Sequence, residues 1–491
     1  MPTPRHKFSQ TIQKNQQSKE SGIGPTIFTI FGATGDLAQK KLFPSFFDLY
    51  LKKILPEKFL IAAFARRQYS DDSYRELVRE AVLLKKHDVD QQKLSDFISN
   101  VVYIKGNFEE MQSYDNLAVR LNEQDNIFGI CSNKLFYIAV PPNLYELIFT
   151  NLSKSGLTIP CKSKDEGWTR ILVEKPFGKD AKTARHLDKM LGKLFEENQI
   201  FRIDHYLAKE TIQNILTFRF SNALFEPIWD NKHIDRIEIK MLEHNVVGNR
   251  GSFYDGIGAL RDVGQNHLVG MLTLVTMDYP TDLSSESIRK ERAKILKQLS
   301  LSDRKNINKN VTRGQYENYL SEPGVATNSK TETFFSIETR IKNKRWQGVP
   351  ILLTSGKALD VFKTEINIYF KDVNCGKSDL KCNRNVLTFR IQPNEGISVN
   401  FWVKKPGFAA NEVYEKSMSF NYADSLDTKL VPDAYERVLY DCLHGDQTLF
   451  SSTEELEASW KFITSILENW EGNELITYKK GSNLSNLIKE K

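Results

Sequence analysis

Short apolar runs separated by amphipathic stretches fill the first two hundred positions. Pro25–Phe31 is a β-rich run ending at Gly32, and Phe59–Ala65 is a second. Val101–Lys105 is a weaker third, Lys134–Val140 halts at Pro141-Pro142, and Arg170–Val173 runs into Glu174-Lys175-Pro176. Between them the spacing predicts helices, such as Lys40–Leu55 and Ser70–Lys86. Apolar strands alternating with helices argue for βαβ units and a parallel sheet. After about Phe201 the pattern changes. Longer alternating strands follow, at Ile234–Leu242, Thr333–Ile341, Glu365–Phe370 and Val386–Gln392, with helices at Gly264–Met277 and Glu286–Leu299. That mixture predicts an α+β second body on a largely antiparallel sheet. A last helix, Thr453–Glu471, is expected to pack back onto one of the two bodies. No internal repeat is visible.

Composition narrows this picture without redirecting it. The 491 residues are enough for two to four domains, and 40% hydrophobic with 26% charged is ordinary for globular chains. A net charge of +6 over this length carries no nucleic-acid signature but is compatible with small anionic ligands. No apolar run approaches the ~18 residues of a spanning helix, so no membrane partner is expected. Residues 1–24 and 479–491 read as polar tails, the first disordered and the second frayed. The five cysteines, with no C-x-x-C pair, predict reduced thiols and neither a disulfide framework nor a metal site.

Chemistry first appears at Gly32-Ala33-Thr34-Gly35-Asp36-Leu37, between a strand and a helix that carries Lys40 and Lys41. Glycine permits a tight turn, and the following helix start offers free N–H groups to a phosphate. Such junctions also arise for packing alone. The second strand ends in Ala65-Arg66-Arg67-Gln68, where an NAD site would place an acid. Two guanidinium groups there suit a 2′-phosphate and favour NADP. Read alone, they also fit a solvated basic pair.

The segment Arg202-Ile203-Asp204-His205-Tyr206-Leu207-Ala208-Lys209-Glu210 packs an acid, an imidazole, a phenol and an ammonium into six positions. His205, Tyr206 and Lys209 have the donors to converge on one anion. This segment resembles the active-site signature of the glucose-6-phosphate dehydrogenase family, with Ala208 in place of a glycine. Gly32–Pro44, Leu135–Pro142, Glu174–Gly178, Arg261–Leu268, Arg345–Leu359 and Pro432–Leu439 resemble that family too, in its order, from about Pro25 to Trp470.

The resemblance implies a Rossmann coenzyme domain over 25–203 and a larger α+β substrate and oligomerisation domain over 204–478. It implies oxidation of glucose 6-phosphate at C1 by NADP in a cytoplasmic homodimer or homotetramer. His267 would be the general base and Asp204 its orienting carboxylate. His205, Tyr206, Lys209 and Lys357 would hold the sugar phosphate, Glu243 and Asp262 the hydroxyls, and Lys175 the reacting oxygen. Gly32, Thr34, Gly35, Asp36, Leu37, Lys41, Arg66, Arg67, Tyr137 and Lys175 would line the coenzyme. No metal is implied.

The chain also departs from the family. Phe362 stands where many relatives carry a basic residue, with Lys363 next as a substitute. Gly264 replaces a methionine beside the base and is expected to loosen the helix start. Asn367, Ser398 and Asn400 replace residues that hold a second, structural NADP in some members, so no tight second site is expected. Two other readings stand beside this one. A sugar dehydrogenase of the glucose–fructose oxidoreductase group shares Glu-Lys-Pro but lacks the Arg202–Glu210 segment. A non-catalytic NADP-binding descendant would be favoured by loss of His267, Asp204 or Lys209, all of which are present.

Overall fold

The computed structural model describes residues 22–86, 88–159, 167–302, 307–372, 383–407, 412–425, 431–470 and 474–488. Six strands form the first sheet: β1 (Thr26–Phe31), β2 (Phe59–Ala65), β3 (Val101–Lys105), β4 (Asn133–Ile138), β5 (Thr169–Val173) and β6 (Ile200–Arg202). Their order is β3-β2-β1-β4-β5-β6 and every pairing is parallel. Strands β1 and β2 are buried along their whole length, which is why they read as unbroken apolar runs. Helices cover the faces. Asp71–Lys85 starts at a Ser70–Ser73 capping box and turns Tyr74 and Val78 inward.

The second sheet contains β7 (Ile234–Leu242), β8 (Leu299–Leu301), β9 (Val311–Tyr316), β10 (Phe334–Ile341), β11 (Ile351–Gly356), β12 (Lys363–Phe370), β13 (Val386–Gln392), β14 (Gly396–Lys404), β15 (Val413–Asn421) and β16 (Leu475–Tyr478). The path runs β15-β14-β13-β12-β7-β11-β10-β9-β16, with β8 on β10. It is antiparallel except where β7 meets β11 and β9 meets β16.

The final helices return to the first sheet. In Ala434–His444, Glu436 pairs with Lys52 at 2.5 Å. In Thr453–Leu467, the Trp460 indole donates to the Phe177 carbonyl at 2.8 Å. Arg202, 1% exposed at the end of β6, bonds Asp188, Glu197 and the Ser451 carbonyl, and so ties the first sheet to this region.

Two expectations change. Residues 479–488 are docked: Gly481 N–H donates to the Ala358 carbonyl at 2.7 Å, Leu359 bridges to Ser482, and Leu487 enters a second apolar cluster. Cys131 is disulfide-bonded, whereas Cys442 is a buried free thiol. Sequence spacing missed the bond because disulfide partners meet in space. Residues 1–21 of the expected N-terminal tail and the Cys375–Cys382 stretch lie outside the described residues.

Candidate active site

Parallel strands release their chain at one end of a sheet, and ligands gather there. Strand β5 hands on to Glu174-Lys175, followed by a cis Lys175-Pro176 bond. Strand β6 hands on to Ile203 and Asp204, and the Asp204 carboxylate accepts the Tyr206 N–H at 3.0 Å, which fixes the turn. From the second body, β7 ends beside Glu243 and β11 ends beside Lys357. A π-helical segment, Leu260–Leu268, brings Asp262 and His267. A π-helix closes i→i+5 bonds, so residues five apart lie roughly one above the other. In an α-helix they would diverge by about 140°.

The result is a hydrogen-bonded chain. Asp204 Oδ1 lies 2.5 Å from His267 Nδ1, and Lys175 Nζ lies 2.7 Å from His267 Nε2. Burial works against ionising Asp204, yet His267, His205 and Lys175 hold its carboxyl well below the usual range. An ionised carboxylate only accepts, so Nδ1 carries the ring hydrogen and Nε2 accepts from Lys175. His267 is 1% exposed. Burial lowers its pKa, and Lys175 adds to this while Asp204 opposes it. A neutral imidazole with an aimed Nε2 lone pair can take a proton.

The neighbouring groups fan out from this pair. Lys175 also donates to the Asp262 carbonyl at 3.0 Å and sits 3.5 Å from its carboxylate. The Tyr206 ring lies 4.3 Å from that of His267, and the His205 ring 5.1 Å. Burial pushes His205 down to about 3, and its neutral ring keeps one N–H to donate. Lys209 donates to Gln392 Oε1 at 2.6 Å, and the Gln392 amide donates to the Tyr206 hydroxyl at 3.1 Å. Lys357 pairs with Glu243. The next residue, Ala358, has φ +55°, a left-handed conformation costly for a side chain and held by its N–H to the Asn245 carbonyl. Lys363, the expected substitute at the departure, pairs with Glu365 at 2.9 Å.

The coenzyme candidates lie at the ends of β1 and β2. Gly32 has φ +80°, and a Cβ there would sit 2.4 Å from the Ala139 carbonyl oxygen, so only glycine fits the turn. Thr34 and Leu37 are half-buried, while Gly35, Asp36 and Lys41 face solvent. Arg66 and Arg67 are exposed at the end of β2, and neither forms an ion pair among the described residues. Tyr137 is fully enclosed, and its hydroxyl donates to Glu174 Oε1 at 2.6 Å. It is the next-to-last residue of β4, and both faces of the sheet are covered there.

Sequence reasoning passed over three groups. Glu174, held up to about 7 by burial, lies under Lys175. Gln392 and Glu395 reach Lys209 from the end of β13. The cis Gln392-Pro393 pair was the one local signal there.

A dinucleotide-type sheet opening onto a buried imidazole–carboxylate pair with lysines around it defines an oxidoreductase of the dehydrogenase class. Two family models cover the chain: "Glucose-6-phosphate dehydrogenase, NAD binding domain" over residues 29–214 and "Glucose-6-phosphate dehydrogenase, C-terminal domain" over 216–490. The glucose-6-phosphate 1-dehydrogenase of Aggregatibacter actinomycetemcomitans is 42% identical over 464 residues, 92% of each chain. A solved glucose-6-phosphate dehydrogenase in complex with its substrate glucose-6-phosphate is 35% identical, with a TM-score of 0.86 over 93% of this chain and 95% of that one. The Mycobacterium avium enzyme is 30% identical, with a TM-score of 0.78 over 93% and 95%. The chain belongs to the glucose-6-phosphate dehydrogenase family.

Proposed function

We propose that the chain oxidises D-glucose 6-phosphate at C1, giving 6-phospho-D-glucono-1,5-lactone and NADPH. This is glucose-6-phosphate 1-dehydrogenase activity (EC 1.1.1.49), the first oxidative step of the pentose phosphate pathway. The observation that carries this reading is the Asp204–His267–Lys175 chain, with Lys209 5.3 Å from the Tyr206 ring and Lys357 paired to Glu243 as the cations for a phosphate.

The Gly32 turn, with no room for a Cβ, and the guanidinium groups of Arg66 and Arg67, which form no ion pair among the described residues, fit a dinucleotide bearing a 2′-phosphate. When bound, the nicotinamide supplies the hydride acceptor. Gly32, Thr34, Gly35, Asp36, Leu37 and Lys41 would hold its phosphates, and Arg66 and Arg67 the 2′-phosphate. His267 Nε2 takes the C1 hydroxyl proton as the C1–H bond breaks and the C1=O bond of the lactone forms. Asp204 stabilises the imidazolium. Lys175 must leave Nε2 to free the base, and the C1 oxygen is its natural next partner. His205, Tyr206, Lys209 and Lys357 grip the phosphate, while Glu243 and Asp262 accept from sugar hydroxyls.

The working form is a cytoplasmic homodimer or homotetramer built through the second sheet, with bodies over 25–203 and 204–478. Edge strand β15 supports this, since it leaves Val413, Met418 and Phe420 exposed. Absorbance at the NADPH band tests the reaction. Glucose 6-phosphate with NADP should react, and free glucose, or NAD in place of NADP, should be at least tenfold poorer in kcat/KM. Equal rates with free glucose would overturn the substrate, and equal rates with NAD the coenzyme.

A further inference from the structure

A second cavity, of about 470 Å³, lies against the start of the segment that carries His267. None of the residues assigned above to substrate or coenzyme lines it. Its basic side chains come from three separate places: Arg261 from the π-helical segment, Arg313 from β9, and Lys330 from the approach to β10. Trp470 and Ile257 add an apolar wall.

Arg261 is fixed by bonds to two neutral carbonyls, Lys179 at 3.0 Å and Ile257 at 3.1 Å. Lys330 is exposed and forms no ion pair among the described residues. Glu332 is the one acid in the lining. It is turned to backbone work: Oε1 accepts the Leu260 N–H at 2.9 Å, and Gly258 alongside has no room for a Cβ. Burial holds this carboxyl up to about 7, against the opposing pull of the Leu260 N–H and of Arg261 and Arg313.

Cations gathered on a concave wall repel one another and focus a positive potential into the space between them. The volume suits a small molecule. We propose that this cavity binds a small polyanion, a phosphate ester or a polycarboxylate, separately from the substrate pocket. Its ligand would touch Arg261 and Glu332, and Glu332 anchors the segment leading to His267 through Ala259 N–H and Leu260 N–H.

Calorimetry on the full chain tests this, with inorganic pyrophosphate and citrate as separate probes. Two variants are compared, Lys330→Glu in the cavity and Lys357→Gln in the substrate pocket, so the outcome does not depend on the proposed reaction. At least one probe should show a component of about 1 mM or tighter. That component should weaken tenfold or more in Lys330→Glu and stay within twofold in Lys357→Gln. A stronger pyrophosphate signal identifies a phosphate ester, and a stronger citrate signal a polycarboxylate. Absence of such a component, or its loss in Lys357→Gln alone, overturns the proposal.

Discussion

His267 sits between an acid that raises its proton affinity and a lysine that lowers it, in a buried site that lowers it further. A histidine pKa below its ordinary 6.5 keeps the neutral base available to a lower pH. The acid limb of kcat/KM is therefore expected below pH 6.5. Removing the positive neighbour has the opposite sign, so Lys175→Gln should shift that limb upward while also lowering turnover, as read from pH–rate profiles of both proteins. The density of Asp204, His205, Tyr206 and Lys209 in one short segment made half of this site legible. Gln392 was not, because it meets Lys209 from 183 positions away and no local pattern announces that contact.

The π-helical segment shows what periodicity does and does not disclose. The apolar pattern predicts a helix beginning near Gly264, whereas the helical run starts at Leu260 and is wound to i→i+5 bonds until Leu268. That winding stacks Asp262 beneath His267, and both reach Lys175. At Gly264 the surrounding space is occupied. A Cβ there would meet Leu260 Cδ1 at 2.6 Å and the Phe335 ring at 2.9 Å, so the space of a family methionine is already filled. Gly264→Met should cost about 1–3 kcal/mol of stability by overpacking. Phe335→Leu should recover part of it, measured by denaturant unfolding of the single and double variants. The parallel meeting of β7 and β11 inside a mainly antiparallel sheet was equally hidden. Each strand reads normally alone, and the pairing joins segments far apart in sequence.

The two bodies share one machine because the chain crosses between them repeatedly. Arg202 links β6 to the start of the last long helix, and that helix returns to the loop after Lys175 through Trp460. The C-terminal segment was read as loose because it is short and polar, and a single leucine gives no periodic signal. In the fold it braces the turn that carries Lys357: Gly481 bonds the Ala358 carbonyl and Leu487 is buried. Ending the chain after Tyr478 should therefore lower Tm. It should also raise KM for glucose 6-phosphate several-fold with a smaller change in kcat, checked by thermal unfolding and steady-state kinetics.

The most direct test of the proposed chemistry is His267→Asn, assayed for NADPH formation alongside calorimetric binding of glucose 6-phosphate. With the base removed and the cations intact, kcat should fall roughly 10²–10⁴-fold while the substrate Kd stays within a few-fold. Turnover near that of the unaltered protein, with the substrate bound normally, would contradict the assignment of His267 as the group that takes the proton.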